Sequence, residues 1–571
     1  MEKNWIIKVP GDAQKTKLLM DTLGVDYPVA NLLVQRNIST FEDAKNFFRP
    51  DITLLHDPFL MKDMDKAVQR LEKAISSNEN ILIYGDYDVD GTTSVSLVYS
   101  FLKNFHSKIG YYIPDRYSEG YGVSYKGIDF AANNGFSLII ALDCGIKAVE
   151  KVEYASQKGI EFIICDHHTA GTTIPNAVAV LDPKRHDCKY PFKELSGCGV
   201  GFKLLQAYCQ HKKISEEQLY TFLDLVVVSI ASDIVPIVGE NRILAHFGLK
   251  QLNSNPRNGL KAIITTSGLD GKSITIDDIV FKIGPRINAA GRINSGNSSV
   301  ELLVSNDAHL AADMSDVIND FNNTRRSIDN TITQQALKMI ATSKELQNKK
   351  STILFNPEWH KGVVGIVASR LTESYYKPTI VLTESNGFIT GSARSVAGYD
   401  LYKAIESCSG LLENFGGHMF AAGLTMKKEN LKAFTQQFEE VVCDTIMNEQ
   451  MIPIVDIDME ISLKEITPKL FRILKQFEPF GPENMMPVFM SESVVDDGTG
   501  KAVGANGEHL KLSLLHEDEP FKPYPAIGFN LSQHYKHIIK GKPFDVCYCV
   551  DENEYRGHTN LQLRIKDIKT A

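Results

Sequence analysis

The chain has 571 residues, 43% of them hydrophobic and 23% charged, and a formal net charge of −9. We expect roughly three or four globular domains, because the length exceeds one ordinary core and the composition excludes a disordered or fibrous protein. No run of about 18 apolar residues occurs, so no membrane span and no membrane partner is expected, and nine cysteines without a C-x-x-C pair favour a reducing cytoplasm.

In chain order, residues 1–75 are predicted to form a mostly helical N-terminal segment. Residues 76–305 then alternate short apolar runs with helical stretches, which is typical of a parallel, doubly wound sheet. The predicted strands of this first α/β lobe are 81–86, 109–114, 137–143 and 161–166.

Residues 306–348 are predicted to form one long helix that connects this lobe to a second one. Its predicted apolar stripe is Leu310, Met314, Val317, Phe321, Ile328, Ile332 and Met339. Residues 349–448 have the pattern of a second, smaller α/β lobe. Short β-rich runs in residues 449–571 predict a small C-terminal β-barrel, for which an OB-like barrel is the leading candidate.

Acidic and imidazole side chains follow three predicted strands of the first lobe. In an open parallel sheet these positions share the ligand-binding edge. A single aspartate there is most often a helix N-cap, but a cluster of like charges would repel unless a cation neutralised it. Carboxylate and imidazole ligands together suit Mn²⁺ or Mg²⁺. The residues are Asp86, Asp88, Asp90, Asp143, Asp166, His167 and His168, and Asp233 follows a later apolar helix.

Two such ions would polarise a phosphoryl oxygen and supply hydroxide near neutral pH. No G-x-x-x-x-G-K-[ST] motif occurs, so ATP-driven chemistry of the P-loop type is not supported. A typical nucleic-acid-binding protein has a basic surface, whereas this chain has a net charge of −9. A local basic groove is compatible with that charge, because net charge averages over the whole surface. From the residues alone, the predicted activity is metal-dependent hydrolysis of a phosphodiester.

The segments that carry these residues resemble a known family. YGDYDVDGTTS, LDCG, CDHH and SDIVP are similar, in order, to the first four motifs of the DHH phosphoesterase superfamily. WHKGVVGIVASR, GSARS and GGHMFAAG are similar to its associated DHHA1 substrate-binding domain. The stretch IPDRYSEGYG and the loop GPRINAAGR narrow the resemblance to the RecJ family of single-strand-specific DNA exonucleases. It covers nearly the whole chain.

The resemblance implies two metal ions, Mn²⁺ or Mg²⁺, held by Asp86, Asp88, Asp90, Asp143, His167 and Asp233. It makes His168 a candidate to contact the scissile phosphate or to protonate the leaving oxygen, with orientation of His167 as the equal alternative. Asp166 would hold the imidazoles or cap the next helix. Tyr84 stands where some members carry a histidine ligand, which leaves the coordination of the first metal open.

The resemblance also implies a set of substrate-binding residues. Arginine suits this role because its planar fork donates two hydrogen bonds to a phosphate. In the same way, Arg116, Arg286 and Arg292 would bind a terminal 5′-phosphate. Each arginine alone is more often a surface or ion-pair residue, and their place inside motifs favours the functional role for Arg286 and Arg394. His418 would reach the phosphate or pack the lobe junction. The full set is Arg116, Arg286, Arg292, His360, Ser392, Arg394 and His418.

The barrel is expected to bind single strands through stacked bases and a basic groove. Stacking candidates are Phe521, Tyr524, Phe529, Tyr548 and Tyr555. Candidates for the basic groove are Lys501, Lys511, Lys522, Lys536, Lys540 and Lys542. An equal alternative is that these lysines are scattered surface charges.

Taken together, the resemblance implies an exonuclease that threads single-stranded DNA between its two lobes. It would release 5′-mononucleotides from the 5′ end, in DNA recombination and repair. A single-strand-binding protein and a recombination helicase are the expected protein partners. The alternatives are a DHH-type phosphodiesterase acting on short oligoribonucleotides or cyclic dinucleotides, and a non-catalytic DNA-replication scaffold.

Overall fold

The computed structural model describes residues 2–516, 519–555 and 558–570, with side chains for residues 2–516, 523–553 and 560–570. Its contacts divide the chain into two compact units. One comprises Met1–Phe48, Ile328–Glu478 and Met486–Ala571, and the other comprises Arg49–Ser327 and Pro479–Met485. The predicted N-terminal segment of residues 1–75 is therefore shared between the two units. No helix of the described residues is long and apolar enough to cross a membrane.

The chain opens with a short strand rather than a helix. This strand, β1, pairs in parallel with Ile454–Ile457 of the same unit. The carboxylate of Asp12 then accepts hydrogen bonds from two backbone N–H groups and starts the first helix, which ends at Gly24 in the left-handed conformation. The elements are β1 Asn4–Ile7, α1 Ala13–Leu23, α2 Tyr27–Gln35 and α3 Phe41–Phe48.

The second unit contains the predicted parallel sheet. Its strand order is β3-β2-β4-β5-β6 and every neighbouring pair is parallel. Alternate residues enter two different cores, so that Ile81 and Ile83 pack on one face of β2 while Leu82 and Tyr84 pack on the other. This confirms a sheet covered on both faces. The elements are α4 Met64–Ser76, β2 Ile81–Gly85, α5 Val89–Leu102, β3 Ile109–Tyr112, α6 Tyr125–Asn133, β4 Leu138–Leu142, α7 Val149–Gln157, β5 Glu161–Cys165 and β6 Ala179–Leu181.

The rest of this unit is helical. Helices α8 and α10 are buried along almost their whole length, and both pack against α5. The segment GPRINAAGR, expected to be a loop, forms α14, because a proline in the first helical turn requires no backbone N–H. The elements are α8 Gly197–Lys212, α9 Glu217–Tyr220, α10 Leu223–Ser232, α11 Gly239–Ser254, α12 Asn258–Thr266, α13 Ile276–Asp278, α14 Gly284–Ile293 and α15 Asn297–Val304.

The predicted long helix is α16, Ala308–Thr342, and α17, Lys344–Asn348, follows it. Its predicted stripe is partly wrong, because Leu310 and Val317 are 52% and 51% exposed. At these two positions the buried residue is the next one along the chain, Ala311 and Ile318 within the second unit. Ile332 is buried as predicted, and Ala336 and Ile340 are buried with it in the first unit.

The second α/β lobe lies in the first unit and has a mixed sheet of order β10-β11-β9-β8-β7. Only β7 and β8 are parallel, and the other neighbours are antiparallel. The GGHMFAAG segment forms the β10–β11 hairpin, which the sequence analysis did not predict. The elements are β7 Thr352–Phe355, α18 Val364–Tyr375, β8 Thr379–Ser385, β9 Phe388–Arg394, α19 Leu401–Glu406, β10 Asn414–His418, β11 Ala421–Met426 and α20 Leu431–Thr445.

The C-terminal region forms the predicted barrel. Neighbouring strands of the barrel pair in the order β14-β18-β19-β17-β16. An additional pairing between β14 and β16 closes the ring. The elements are β12 Ile454–Ile457, β13 Met459–Glu460, α21 Pro468–Lys475, β14 Phe489–Asp496, β15 Lys501–Val503, β16 His509–His516, β17 Glu519–Gly528, α22 Tyr535–Ile538, β18 Phe544–Tyr555 and β19 His558–Thr570.

Two of the predicted base-stacking residues of the barrel are core residues. Tyr524 and Tyr548 are 6% and 0% exposed, since barrel strands bury every second side chain. Phe529 is 53% exposed and can offer a stacking surface. The side chains of Phe521, Lys522 and Tyr555 lie outside the described residues.

Candidate active site

The carboxyl ends of three neighbouring strands bring the predicted site residues together. Asp86 follows β2, Asp143 follows β4 and Asp166 follows β5, and these strands are adjacent in the sheet. Asp143 has a φ of 59°, a left-handed conformation that is uncommon for a residue with a side chain. Its backbone N–H still donates to the carbonyl of Cys165. Strain of this kind concentrates at functional sites.

His167 lies at the centre of this cluster. Its Nε2 atom is 3.2 Å from Asp143 Oδ1, 3.5 Å from Asp233 Oδ2 and 3.7 Å from Asp90 Oδ2. Two groups of ligand atoms result, each lying within 4.8 Å, and they share His167. The first group is Asp143, His167 and His168, and the second is Asp90, His167 and Asp233.

The cluster has the chemistry of a cation site. Asp86 Oδ2, Asp143 Oδ1 and both ring nitrogens of His167 are buried and have no hydrogen-bond partner in the described part of the chain. Buried polar atoms without hydrogen-bond partners are costly in a folded protein. A divalent cation bound by the carboxylate oxygens and by one ring nitrogen of His167 would reduce that cost, so the donor set fits Mn²⁺ or Mg²⁺.

The pKa values of the carboxylates also indicate that the cluster requires a neutralising positive charge. Burial, followed by repulsion from neighbouring carboxylates, raises the pKa of Asp86, Asp143 and Asp233 well above the ordinary value. Burial likewise raises the pKa of Asp88. Asp86 and Asp88 therefore belong to the same electrostatic cluster, although neither is in the two groups of close ligand atoms.

Asp88 and Asp90 are held by helix N-termini. Asp88 Oδ1 accepts from the backbone N–H of Gly91 and caps α5. Asp90 Oδ2 accepts from the N–H of Gly197, the first residue of α8, at 2.7 Å. Asp90 Oδ1 accepts from Cys198 N–H at 2.8 Å and from the Ser229 hydroxyl at 2.7 Å. These donors fix the Asp90 carboxylate toward His167.

Gly197 is a position where a side chain should disable the site. A Cβ atom there would lie 2.5 Å from Asp143 Cβ and 2.8 Å from Asp143 Cα. We expect Gly197→Ala to displace Asp143 and to weaken Mn²⁺ binding and hydrolysis about 10- to 100-fold, as loss of a supporting group around a metal ligand does. Calorimetric titration of Mn²⁺ and a nuclease assay measure both.

Gly199→Ala is the matched control, because the three atoms nearest to its Cβ would belong to Leu195 and Ser196, at 3.4 Å. It should leave both quantities nearly unchanged. Equal losses in the two variants would show that the effect comes from the helix rather than from Asp143.

Asp166 orients the imidazoles. Its Oδ1 atom accepts from His168 Nδ1 at 2.7 Å and from the backbone N–H groups of His167 and His168, while Oδ2 accepts from Ile146 N–H at 2.9 Å. Burial opposes its charge, but these bonds, led by that from His168, lower the pKa of Asp166 to about 2. Burial also opposes the charge on His168, yet the bond to Asp166 raises the pKa of His168 to about 9. Of its two predicted roles, the contacts favour holding the imidazoles.

Tyr84 serves the fold rather than the metal cluster. It is fully buried, and its hydroxyl donates to the carbonyl of Gly122 at 3.0 Å and accepts from the N–H of Ser124 at 3.1 Å. Its ring stacks on Tyr112. Tyr84 therefore anchors the loop of Gly122 and Ser124 to the sheet.

The three predicted arginines of this unit have different surroundings. Arg116 lies 4.7 Å above the ring of Tyr87. Burial raises the pKa of Asp86 and Asp88, and the charge of Arg116 opposes that rise only in part. The backbone carbonyl of Arg292 accepts from the Tyr117 hydroxyl. Arg286 already donates to Asn319 Oδ1 and to the carbonyls of Lys282 and Thr266. Its predicted role in phosphate binding stays a prediction.

The predicted binding residues of the other unit centre on Arg394. Its guanidinium donates to the hydroxyls of Ser392 at 2.7 Å and Ser369 at 3.1 Å, and burial lowers its pKa. Because hydroxyls carry no charge, they leave the positive charge of Arg394 available to an anion. His360 Nδ1 accepts from Gly362 N–H, and His418 Nδ1 accepts from Phe420 N–H.

Models of three protein families match separate parts of the chain. They are the DHH family N-terminal domain over residues 80–230, the DHHA1 domain over residues 348–444 and the RecJ OB domain over residues 457–567. The single-stranded-DNA-specific exonuclease RecJ of Bacillus subtilis (strain 168) is 36% identical over 569 residues, covering 99% of this chain and 71% of that protein. The chain belongs to the RecJ family.

Other RecJ proteins agree with this assignment. The single-stranded-DNA-specific exonuclease RecJ of Escherichia coli (strain K12) is 32% identical, with 89% of this chain and 90% of that protein covered. The crystal structure of RecJ from Thermus thermophilus in complex with Mn²⁺ superposes with a TM-score of 0.85 at 25% identity, covering 100% of this chain and 80% of that chain. A crystal structure of exonuclease RecJ bound to manganese has a TM-score of 0.60 at 29% identity, covering 70% of this chain and 98% of that chain.

The sequence analysis missed three residues that position the site. The glycine series in SGCGVG, at the start of the buried helix α8, is a signal of close backbone approach that could have identified Gly197. Ser229 lies in an apolar helix and Tyr121 among several tyrosines, so their sequence context does not distinguish them.

Proposed function

We propose that this RecJ-family chain is a metal-dependent exonuclease that hydrolyses single-stranded DNA from the 5′ end to 5′-mononucleotides. The cluster of Asp90, Asp143, His167 and Asp233 carries the proposal. Within it, Asp143 Oδ1 and the ring nitrogens of His167 are buried and have no hydrogen-bond partner in the described part of the chain. Family membership supports the substrate, since the relatives are single-stranded-DNA-specific exonucleases. Mn²⁺ in a related crystal structure supports the cofactor.

Residues of the metal cluster and of its surroundings would have different roles in hydrolysis. Asp86, Asp88, Asp90, Asp143, His167 and Asp233 would hold two ions, Mn²⁺ or Mg²⁺, which polarise the phosphoryl oxygen and activate water when bound. Asp166 accepts a hydrogen bond from His168 Nδ1 at 2.7 Å and so helps to orient its ring. His168 would contact the scissile phosphate or give a proton to the leaving oxygen. Arg116 would balance the charge of the bound strand.

A terminal 5′-phosphate would bind Arg394 and Ser392. This assignment is supported by the partly buried guanidinium, which donates to the neutral hydroxyls of Ser392 and Ser369 and to the neutral carbonyl of Ala393. Arg286, Arg292, His360 and His418 would make further contacts with the strand. Phe529 of the barrel would add a stacking surface for a base.

A digestion assay with Mn²⁺ tests the proposed function. It compares 5′-labelled single-stranded DNA, duplex DNA and a cyclic dinucleotide, with Asp143→Ala as the inactive reference. We expect mononucleotides from the 5′ end of the single strand and none from the variant. Cleavage of the dinucleotide alone would identify a small-substrate phosphodiesterase. DNA binding without any cleavage would indicate a replication scaffold.

Arg394→Gln tests the assignment of the 5′-phosphate. Loss of a charge-assisted, forked hydrogen bond of about 1.5–3 kcal/mol should raise KM for a 5′-phosphorylated strand roughly 10- to 100-fold. A strand with a 5′-hydroxyl should show a much smaller change. Lys427→Gln, which alters a 54% exposed lysine paired with Glu413 in the same unit, is the control. Equal losses on both strands would contradict the assignment.

We further propose that the protein acts in the cytoplasm beside a recombination helicase and a single-strand-binding protein. An enzyme restricted to single strands requires another activity to separate a duplex, and the exposed strand requires protection. With purified components, blunt duplex DNA should be degraded only when a helicase and ATP are added. Degradation without the helicase would contradict this dependence.

A further inference from the structure

Tyr121 lies in a loop that is attached to the acidic cluster. The glycines on either side, Gly120 and Gly122, have φ values of 83° and 77°, which favour glycine. The N–H of Gly122 donates to Asp86 Oδ1 at 3.1 Å, and the Gly122 carbonyl accepts from Tyr84 at 3.0 Å. This loop therefore places the Tyr121 ring beside the site, with its edge toward Tyr87.

The Tyr121 hydroxyl contacts the histidine that Asp166 orients. It lies 3.0 Å from His168 Nε2 and 3.3 Å from the carbonyl oxygen of Asp143. Because Asp166 Oδ1 lies 2.7 Å from His168 Nδ1, both ring nitrogens have a protein partner. The rings of Tyr121 and His168 meet edge to face, with centroids 5.7 Å apart.

The contacts of His168 with Asp166 and Tyr121 are compatible with both protonation states of its ring. In the neutral ring, Nδ1–H donates to Asp166 and Nε2 accepts from the Tyr121 hydroxyl. In the charged ring, Nε2–H donates to the Tyr121 oxygen, and the hydroxyl hydrogen turns to the Asp143 carbonyl. Both hydrogen bonds to the imidazole are therefore present whether the ring is neutral or charged.

We propose that Tyr121 is a positioning residue that, together with Asp166, holds the imidazole of His168 in one orientation before the strand binds. His168 Nε2 would then exchange the Tyr121 hydroxyl for an oxygen of the scissile phosphodiester, while Nδ1–H stays on Asp166. This inference rests on the proposed nuclease function. The His168 side chain is 42% exposed, so surrounding packing constrains its ring only in part. Without the Tyr121 hydroxyl, the imidazole keeps only its hydrogen bond to Asp166, and the ring can rotate about that contact.

The experiment compares Tyr121→Phe, His168→Ala and the double variant on 5′-phosphorylated single-stranded DNA with Mn²⁺. Tyr121→Phe should lower kcat about 10- to 100-fold while leaving KM within about two-fold, as loss of a group that orients a reacting side chain does. The double variant should be no slower than His168→Ala alone, because both changes act through the same ring. Calorimetric titration should give an unchanged Mn²⁺ affinity for Tyr121→Phe.

Tyr111→Phe is the matched control, because it removes a hydroxyl from strand β3 of the same unit, where the ring packs on Tyr99. Its kcat should equal that of the wild type. A Tyr121→Phe variant with wild-type kcat, a full additional loss in the double variant, or a Mn²⁺ affinity that falls in step with kcat would each overturn the role of Tyr121. A wild-type protein that cleaves no single-stranded DNA would overturn the proposed function together with it.

Discussion

Asp143→Asn should lower the rate of hydrolysis by at least about 10³-fold. Asp143 Oδ1 is buried, lacks a hydrogen-bond donor in the described structure, and lies 3.2 Å from His167 Nε2. An amide of the same shape keeps the packing but removes a negative charge from the cation site. Metal activation contributes several kcal/mol, and each 1.36 kcal/mol is a factor of ten. Steady-state kinetics and Mn²⁺ titration measure the loss.

The same variant should be more stable than the wild type when metal is absent. Burial and the neighbouring carboxylates of Asp90 and Asp88 raise the pKa of Asp143 in the folded protein. A carboxyl with a raised folded-state pKa contributes stability below its unfolded value of about 3.9, and that contribution is lost as the pH rises. The metal-free wild type should therefore lose more stability than Asp143→Asn between about pH 4 and pH 7. Thermal unfolding in a chelator tests this.

Adding Mn²⁺ should reverse the order, because a ligand that binds only the folded state raises its stability by mass action. Asp129→Asn, which changes an exposed aspartate paired with Lys158, is the control and should match the wild type in both conditions. A melting temperature for Asp143→Asn that rises with Mn²⁺ as much as the wild type's would contradict the assignment of Asp143 as a ligand.

Much of the metal cluster could be predicted because the evidence for it is local. A strand followed by aspartate is visible in the chain, and parallel pairing places such residues at one edge whatever the details of packing. The central position of His167 was not predictable in this way, because it depends on the helix that carries Asp233 and on the left-handed backbone of Asp143. Asp90 was predicted as a ligand, but its donors at Gly197 and Ser229 come from distant segments.

The fold was predictable where a pattern has one structural solution. The strands of the parallel sheet agree with prediction to within about a residue or two, whereas β6 has only three residues and gives too weak a pattern. The stripe of α16 was wrong at Leu310 and Val317 because only large apolar side chains were chosen, and the buried face also contains the alanines Ala311 and Ala336. Small residues mark a face where a helix packs closely, which hydrophobicity alone does not show.

Glu240→Ala should cause the largest loss of stability among the changes considered. Lys203 and Glu240 are 0% and 1% exposed and form an ion pair at 3.2 Å inside the second unit. Lys203 also donates to the carbonyl of His56 at 2.6 Å, and Glu240 accepts from Tyr190 and from the N–H of His56. Removing Glu240 leaves a buried ammonium without its counter-charge, which typically costs about 3–5 kcal/mol.

For a unit of this size the loss corresponds to a fall in melting temperature of about 6–20 °C. The double variant Lys203→Met, Glu240→Leu should recover most of it, because a well-packed apolar pair can replace a buried ion pair with little loss of stability. Lys212→Met, which breaks a pair with Glu72 whose side chains are 40% and 27% exposed, should cost less than about 1 kcal/mol. A double variant as unstable as Glu240→Ala would show that the hydrogen bonds to His56, rather than the uncompensated charge, determine the stability of this region.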